Sequence, residues 1–234
     1  MYTFAPIPSW AEILSGLLAY ITKAKPIALP WTQHEQQMAL FASGTAILAY
    51  IVKKQAEKTK NKNLEIWLPD YFCNNAIQLI RKQDVSITFY PINSMLDPEW
   101  STCEQMVQTK SAPDIFILVH YFGREADVFR AAAFCRKMQT FLLEDAAHVL
   151  LPHGNIGKYG DAIFYCPHKV LAAPDGAFLI RQNTASNLRL KKIPFPVTWL
   201  LKRVLQLILP KFFLKYRTQN LSGFLIDGRI AKKS

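Results

Sequence analysis

The sequence predicts an α/β fold, a three-layer α-β-α domain built on a mainly parallel sheet. Short runs of apolar and β-branched residues alternate with amphipathic stretches long enough for helices, which is typical of parallel sheets covered on both faces. Polar residues directly follow several of these runs, at the edge where such sheets bind ligands. Hydrophobic residues make up 50% of the 234 positions, enough for a substantial core.

The N-terminal part of the chain predicts two helices and two strands. Apolar residues at helical spacing indicate a first helix over residues 10–23, and Ser9 is placed to cap its start. The elements that follow are a strand at 38–42, a helix at 45–58 and a strand at 64–68, which Pro69-Asp70 closes.

The middle of the chain continues the alternation. Residues 85–90 are rich in β-branched and aromatic side chains, and Pro91 ends this run. Proline at position 98 suits the first turn of a helix. In order, we predict a helix at 71–82, strands and helices alternating at 85–90, 98–108, 114–119 and 125–138, and a strand at 140–143.

The pattern changes in the C-terminal part. Strands at 162–165 and 176–180 are followed by a helix at 197–209, which Pro210 stops. Its polar residues share one side of the helix, and apolar residues fill the rest. We therefore expect a large domain over residues 1–185 and a C-terminal segment over residues 186–234 that contains a basic amphipathic helix.

The net charge of +11 is concentrated in residues 53–62 and 189–217. A basic chain suggests nucleic acid, anionic membrane or phosphorylated ligands. The sequence has no zinc-finger spacing and no RNP-type aromatic strand, which argues against nucleic acid. The tail mixes Trp199, Phe212 and Phe213 with basic residues, as helices at membrane interfaces do. The alternative is a helix that packs on the large domain.

Cysteine usage and hydropathy indicate a cytoplasmic protein. The four cysteines are scattered and form no CxxC pair, which is typical of free thiols in a reducing compartment. The first ten residues lack the pattern of a secretory signal, and no apolar stretch is long enough to span a membrane. The histidines lack metal-ligand spacing, so we expect no metal site.

Three groups at predicted strand ends could carry chemistry. Ser43-Gly44-Thr45 ends a strand and opens a helix, where free N–H groups and the helix dipole form an anion site; an ordinary helix cap is the alternative. Asp145 follows a buried strand, where a carboxylate needs a partner, although it could also cap the next turn. Lys169 follows the strand at 162–165, and a surface lysine is its alternative reading.

The three groups are informative as a set, because each of them alone has an ordinary structural explanation. An anion cradle, a carboxylate and a lysine, in this order on an alternating α/β chain, are the protein parts that pyridoxal phosphate chemistry needs. The lysine would form the Schiff base, the carboxylate would pair with the pyridinium nitrogen, and the cradle would hold the phosphate. His148 would stack or hydrogen-bond near the ring, and a structural histidine is the alternative.

The chain resembles the DegT/DnrJ/StrS family of aminotransferases, which are fold-type-I pyridoxal-phosphate enzymes acting mostly on nucleotide-linked keto sugars. The resemblance extends over about residues 35–180. The matching motifs are Ser43-Gly44-Thr45-Ala46, Pro69-Asp70-Tyr71-Phe72, His120-Tyr121-Phe122-Gly123, Glu144-Asp145-Ala146-Ala147-His148, Gly160-Asp161, and Lys169 followed by Asp175-Gly176-Ala177.

The resemblance implies a fold and a set of roles. Residues 1–185 become an aspartate-aminotransferase-like large domain that binds pyridoxal 5′-phosphate, within a homodimer. Lys169 is implied as the Schiff-base lysine and Asp145 as the partner of the pyridine nitrogen. Gly44 and Thr45 are implied to hold the phosphate, and Phe72 to stack on the ring.

The chain departs from the family pattern in two respects. Cys166 stands where the family usually has a phosphate-binding serine, and a thiol is the weaker donor. The residues after Gly176 are too few for the family's small domain, so we expect that domain to be missing or minimal and turnover to be slow.

Three functions are therefore weighed. The first is amino transfer, with glutamate as donor, to a nucleotide-linked keto sugar for cell-surface or secondary-metabolite sugars. The second is a truncated, catalytically impaired relative that acts as a binding or scaffold protein. The third is a membrane-surface protein that docks through its basic tail.

Overall fold

The computed structural model describes residues 7–22, 31–32, 37–60, 63–171, 173, 176–181 and 197–208. The chain forms two compact units. The first, Met1–Pro6 with Lys25–Ile193, contains the whole sheet, and the second, Ile7–Ala24 with Pro194–Ser234, contains two helices. The predicted boundary between residues 185 and 186 lies outside the described residues and stays a prediction.

The sheet of the first unit has seven strands in the order β1-β7-β6-β5-β4-β2-β3, and all but β7 run in one direction. β7 pairs antiparallel with both β1 and β6, whereas the other pairs are parallel. This confirms the mainly parallel sheet. The strands are β1 (Gln37–Phe41), β2 (Leu64–Pro69), β3 (Val85–Tyr90), β4 (Ile115–Val119), β5 (Phe141–Ala146), β6 (Ala162–Tyr165) and β7 (Ala177–Arg181).

Helices cover both faces of this sheet, as predicted. One face packs against α2 in the main hydrophobic cluster, and the other packs against α3 and α4 around Trp67 and Phe116. These contacts bury the strands on both sides and explain their continuous apolar runs. The helices are α1 (Trp10–Ile21), α2 (Gly44–Thr59), α3 (Trp100–Thr109), α4 (Val128–Met138) and α5 (Val197–Ile208).

Polar side chains cap the starts of α1 and α4. At α1, the Ser9 hydroxyl accepts from Glu12 N at 3.3 Å, and the Glu12 carboxylate accepts from Ser9 N at 2.7 Å, which together form a capping box. The predicted cap is therefore confirmed. Asp127 accepts from Arg130 N at 3.1 Å, and this cap starts α4 at Val128 rather than at the predicted residue 125.

The predicted helix at 71–82 is wrong. The structure has only a short 3-10 helix, Asn74–Ile77, followed by turns. The asparagine side chains here bond to other side chains: Asn75 Oδ1 accepts from Gln78 Nε2 at 3.0 Å, and Asn74 Oδ1 accepts from Arg81 Nη2 at 3.2 Å.

The structure also bears on the cysteines, on membrane-spanning helices, on metal sites and on the basic tail. All four cysteines are free, with Cys73 exposed and the others buried. Among the described residues no helix is long and apolar enough to cross a membrane. In the same part of the chain, no cluster of side chains suited to a metal ion occurs. Of the basic tail at 189–217, only residues 197–208 are described.

Candidate active site

The predicted site residues meet at one edge of the first unit, beyond the carboxyl ends of the parallel strands. β5 lies between β4 and β6, with Asp145 opposite Val119 on one side and Phe164 on the other. His120 N donates to Asp145 O at 2.9 Å, which joins the ends of β4 and β5. This edge is where doubly wound sheets bind ligands.

Asp145 presents a buried carboxylate at this edge. The residue is 8% exposed, and its Oδ1 accepts from Ala147 N at 2.9 Å. None of the described residues donates a hydrogen bond to Oδ2. Burial raises the pKa of Asp145, and the nearby Lys169 ammonium opposes that rise. The carboxylate thus lacks the full set of partners that a buried anion needs.

Lys169 lies at the same edge, on the 3-10 turn Pro167–Lys169 that follows β6. Its backbone N–H donates to Cys166 O at 3.0 Å, and its side chain is exposed. Burial raises the pKa of Asp145 and Cys166 and lowers that of His148, and the Lys169 ammonium opposes the two rises and adds to the fall. The lysine therefore lies within electrostatic reach of three groups from different segments of the chain.

The start of α2 forms the third part of the site. Ser43 caps the helix, with its hydroxyl accepting from Ala46 N at 3.2 Å. The Gly44 N–H at the start of α2 points to the Cys166 sulfur, whereas the Thr45 N–H has no acceptor among the described residues and can serve an anion. The predicted anion corner therefore lies at the same edge as Asp145 and Lys169.

Cys166 connects this corner to the end of β6. The Gly44 N–H points to the Cys166 sulfur, and burial together with the Asp145 charge raises the pKa of the thiol to about 12. A Cβ on residue 44 would lie 3.0 Å from Cys166 Sγ and from Phe164. Packing within the protein thus explains this glycine, whereas phosphate approach, the reason expected from the sequence, stays a prediction.

Glu144 is a structural residue beside the site. Its fully buried carboxylate accepts from His120 Nε2 at 2.9 Å, Gly157 N at 2.8 Å and Gly160 N at 2.7 Å. His120 Nδ1 accepts from Ala126 N, so Nε2 carries the hydrogen and the ring is a fixed donor. These bonds anchor the loop between β5 and β6, which carries His148.

Substitution of Gly160 should test this anchor. A Cβ there would lie 2.7 Å from Glu144 Oε1, 2.9 Å from its Cγ and 3.2 Å from Ala162 O. We expect Gly160→Ala to lower the free energy of unfolding by about 1–3 kcal/mol through overpacking. The matched control is Gly16→Ala in α1, which meets nothing within 4 Å and should not destabilise the chain. Equal effects of the two changes in denaturant titrations would contradict the close packing.

Aromatic side chains form the outer border of the site. Phe72, the predicted stacking residue, is partly buried against the main hydrophobic cluster. Tyr121 OH donates to Tyr71 O at 2.5 Å, and the two rings are 5.6 Å apart. Phe122 is 72% exposed and lies parallel to the His148 ring at a centroid distance of 5.8 Å.

Tyr121 and Phe122 were not among the predicted site residues. Both lie in the motif after β4, and a pair of aromatic residues just after a predicted strand was the signal available. The conformation of Phe122 was not predictable, because its φ of 54° belongs to the left-handed region that residues other than glycine seldom adopt.

His148 is held in a defined state. Phe122 N donates to His148 Nδ1 at 3.4 Å, which leaves Nε2 as the site of the ring hydrogen. Loss of hydration and the Lys169 charge lower the pKa of His148. The ring is thus neutral at pH 7 and offers one N–H donor at this edge.

Comparisons with known proteins bear on what this edge does. A sequence model of the DegT/DnrJ/EryC1/StrS aminotransferase family matches residues 38–193, which include all of the site residues described above. No curated protein sequence matches the chain significantly.

Several solved structures share the fold at low sequence identity. PseC of Helicobacter pylori, an aminotransferase in pseudoaminic acid biosynthesis, has a TM-score of 0.62 at 14% identity, over 88% of this chain and 65% of its own. The E. coli GDP-4-keto-6-deoxy-D-mannose-3-dehydratase with bound hydrated PLP has 0.62 at 14%, over 78% and 51%. NtdA of Bacillus subtilis, with bound PMP, has 0.58 at 15%, over 88% and 48%. The chain thus spans about half to two thirds of these proteins.

Proposed function

The chain belongs to the DegT/DnrJ/EryC1/StrS aminotransferase family, and on that premise we propose that it is a pyridoxal 5′-phosphate-dependent aminotransferase acting on a nucleotide-linked keto sugar. The observation that carries this proposal is the meeting of a buried carboxylate, a lysine and a free helix N-terminus at one sheet edge. These groups come from β5, the turn after β6 and α2, and their side chains influence one another electrostatically.

The residues fit this cofactor. The Asp145 carboxylate has one described hydrogen bond and a pKa raised by burial, so a cationic N–H at Oδ2 would supply the missing partner. The first N–H groups of α2 suit a phosphate. When bound, pyridoxal phosphate supplies an electron sink that stabilises negative charge on the carbon bearing the amine.

Lys169 is proposed to hold the cofactor covalently and then to move protons. Lys169 is exposed, and its amine lies within electrostatic reach of Asp145. As a free amine, the same side chain would serve as a base that takes and returns a proton at the carbon bearing the substrate nitrogen. This role requires a mobile, exposed amine beside the buried carboxylate, and the observed arrangement supports it.

Asp145 is proposed to keep the pyridine nitrogen protonated. An ionised carboxylate in a buried place stabilises a neighbouring cation more strongly than it would in water. The Ala147 N–H fixes Oδ1, which leaves Oδ2 to face the cofactor. Neutral His148 is proposed to offer its Nε2–H to an oxygen of the same group, and Phe72 to cover one face of the ring.

Cys166 is proposed to face the cofactor phosphate together with Gly44 and Thr45. Its pKa of about 12 keeps the thiol neutral at physiological pH, so it does not repel the phosphate. A thiol is nevertheless a poor donor. We infer that α2 backbone N–H groups provide most of the phosphate binding in this chain.

Replacement of Cys166 by serine should therefore tighten cofactor binding. A better donor should gain roughly 0.5–1.5 kcal/mol, which is a several-fold lower Kd in a titration followed by visible absorbance. The matched control is Cys135→Ser, a buried cysteine in the cluster on the other face of the sheet. Unchanged affinity of Cys166→Ser, with its fold intact, would show that residue 166 does not face the phosphate.

The substrate class rests on the family and on the relatives. PseC acts in pseudoaminic acid biosynthesis, and the E. coli relative is named for a nucleotide-linked keto sugar. We infer a similar acceptor here, glutamate as amino donor, a homodimeric enzyme and a cytoplasmic location, in the synthesis of cell-surface or secondary-metabolite sugars.

A direct test follows glutamate and the sugar together. Purified chain with cofactor should convert glutamate to 2-oxoglutarate in equal amount to the aminated sugar, measured by mass spectrometry. Cofactor binding seen in the visible spectrum without either product would instead favour a catalytically impaired relative with a binding role. Absence of cofactor binding would overturn the proposal itself.

A further inference from the structure

The helix α5 of the second unit presents its apolar side outward. Its outer row consists of residues at spacings of four, four and three, which lie along one side of a helix. All four are 47–59% exposed, far more than a core-facing helix row should be. The outer row comprises Val197, Leu201, Leu205 and Ile208.

The polar residues of α5 do not share the outer row. Arg203 is only 9% exposed, its guanidinium lies 5.4 Å above the Trp199 ring, and its Nη1 donates to Gln206 Oε1 at 2.7 Å. Lys202 is exposed at the margin of the outer row. The helix therefore shows leucines outside and an arginine inside, the reverse of an ordinary surface helix in water.

The other helix of this unit has a row of the same kind. α1 carries exposed apolar residues at the same spacings of four, four and three, each 49–66% exposed. They are Trp10, Leu14, Leu18 and Ile21. Exposed apolar rows of this extent mark an interaction surface.

The charge of the sequence on either side of α5 indicates what covers this helix. No Asp or Glu occurs between Asp175 and Asp227, whereas Lys and Arg recur throughout that interval. A second copy of the chain would bring the same cations to the contact, including Lys202 against Lys202 across a two-fold axis, which is unfavourable. Nucleic acid needs cations on the contact face, whereas the outer row is apolar.

We propose that the outer row of α5 docks on an anionic lipid surface. Apolar side chains would enter the boundary between headgroups and acyl chains, and Lys202, with the cations that flank α5 in the sequence, would meet the lipid phosphates. With 12 residues, α5 is about 18 Å long, so it would lie along the surface rather than cross the bilayer. The proposal is independent of the proposed enzyme activity.

Vesicle co-sedimentation of the full chain tests this inference. We expect at least tenfold stronger binding to vesicles of phosphatidylcholine with 30% phosphatidylglycerol than to phosphatidylcholine alone, and release by about 0.5 M salt. The double change Leu201→Gln and Leu205→Gln should weaken binding at least tenfold. The matched control, Leu79→Gln with Leu151→Gln, removes exposed leucines of the first unit and should bind normally.

Several outcomes would overturn the proposal. Equal loss in the control pair would mean that α5 has no special role. Self-association that the α5 pair abolishes, without vesicle binding by the unchanged chain, would assign the outer row to a second copy. Salt-sensitive binding to heparin but not to vesicles would indicate that the chain binds polyanions through charge alone, without insertion of the outer row into lipid. If the α5 pair fails to fold by circular dichroism, the lipid and salt dependence of the unchanged chain still decides the question.

Discussion

Lys169→Ala should abolish covalent attachment of pyridoxal phosphate and slow amino transfer by on the order of 10²–10⁴-fold, the usual contribution of a positioned proton-transfer group. Covalent attachment is read directly. Borohydride reduction and peptide mapping should place the pyridoxyl group on Lys169 in the unchanged chain and nowhere in the variant. This readout is independent of turnover, so it tests the residue even if the chain is slow.

The control for this experiment is Lys158→Ala. Lys158 is also an exposed lysine, in the loop between β5 and β6, but its charge does not contribute to the shifted pKa of Asp145. The Lys158→Ala variant should keep the pyridoxyl label on Lys169 and the rate of amino transfer. Added small amines should restore part of the activity to Lys169→Ala, because a free amine can take over proton transfer. A label on another lysine, or full activity in the variant, would assign the reaction to a different residue.

Much of the fold could be predicted because its signals are local. β3 and β6 were predicted at their observed bounds, since a run of β-branched or apolar residues is bounded by turns on both sides. The strand at β5 was predicted to end three residues too early, because its observed end carries Glu144 and Asp145. Charged residues normally end a strand, and only the tertiary partners of Glu144 explain its burial.

The sequence predicts which edge of the sheet carries the site, but not the contacts within the site. Strand ends place Ser43, Asp145 and Lys169 together in any mainly parallel sheet. Nothing in the sequence reports that Cys166 contacts Gly44, or that Phe122 adopts a left-handed conformation and lies against His148. Those features depend on residues far apart in the chain, and periodicity carries no information about them.

The direction of β7 illustrates the same limit. Its apolar run predicts a strand, but the period of a strand is the same whether it runs parallel or antiparallel. The short segment between β6 and β7 leaves no room for a crossover helix, which parallel pairing would need. β7 therefore reverses, and β1 pairs with it at the sheet edge.

Asp145→Asn should produce opposite effects on catalysis and on stability. Amino transfer should slow by about 2–4 kcal/mol in barrier, or roughly 30- to 1000-fold, because an amide cannot keep the pyridine nitrogen protonated. The cofactor-free variant should instead be more stable than the parent at pH 7. Asn retains an oxygen for the Ala147 N–H, and it removes a buried charge that lacks a full set of partners.

The raised pKa of Asp145 determines the direction in which folding stability changes with pH. Because burial raises the pKa of Asp145 in the folded chain, the folded state keeps its proton to a higher pH than the unfolded state does. The parent therefore loses stability as pH rises from the ordinary Asp pKa near 4 through the raised value, and the loss persists above it. The stability advantage of cofactor-free Asp145→Asn should grow over that range and then level off.

Denaturant titrations of the cofactor-free proteins from about pH 4 to pH 8 measure this advantage, with Asp127→Asn as the control. Asp127 is an exposed helix cap, and asparagine caps equally well, so its stability should hardly change. A cap role for Asp145 would likewise leave both rate and stability unchanged in Asp145→Asn. A carboxylate held in place for a cationic ring must show both effects, because the same missing partner destabilises the empty site and is supplied when the cofactor binds.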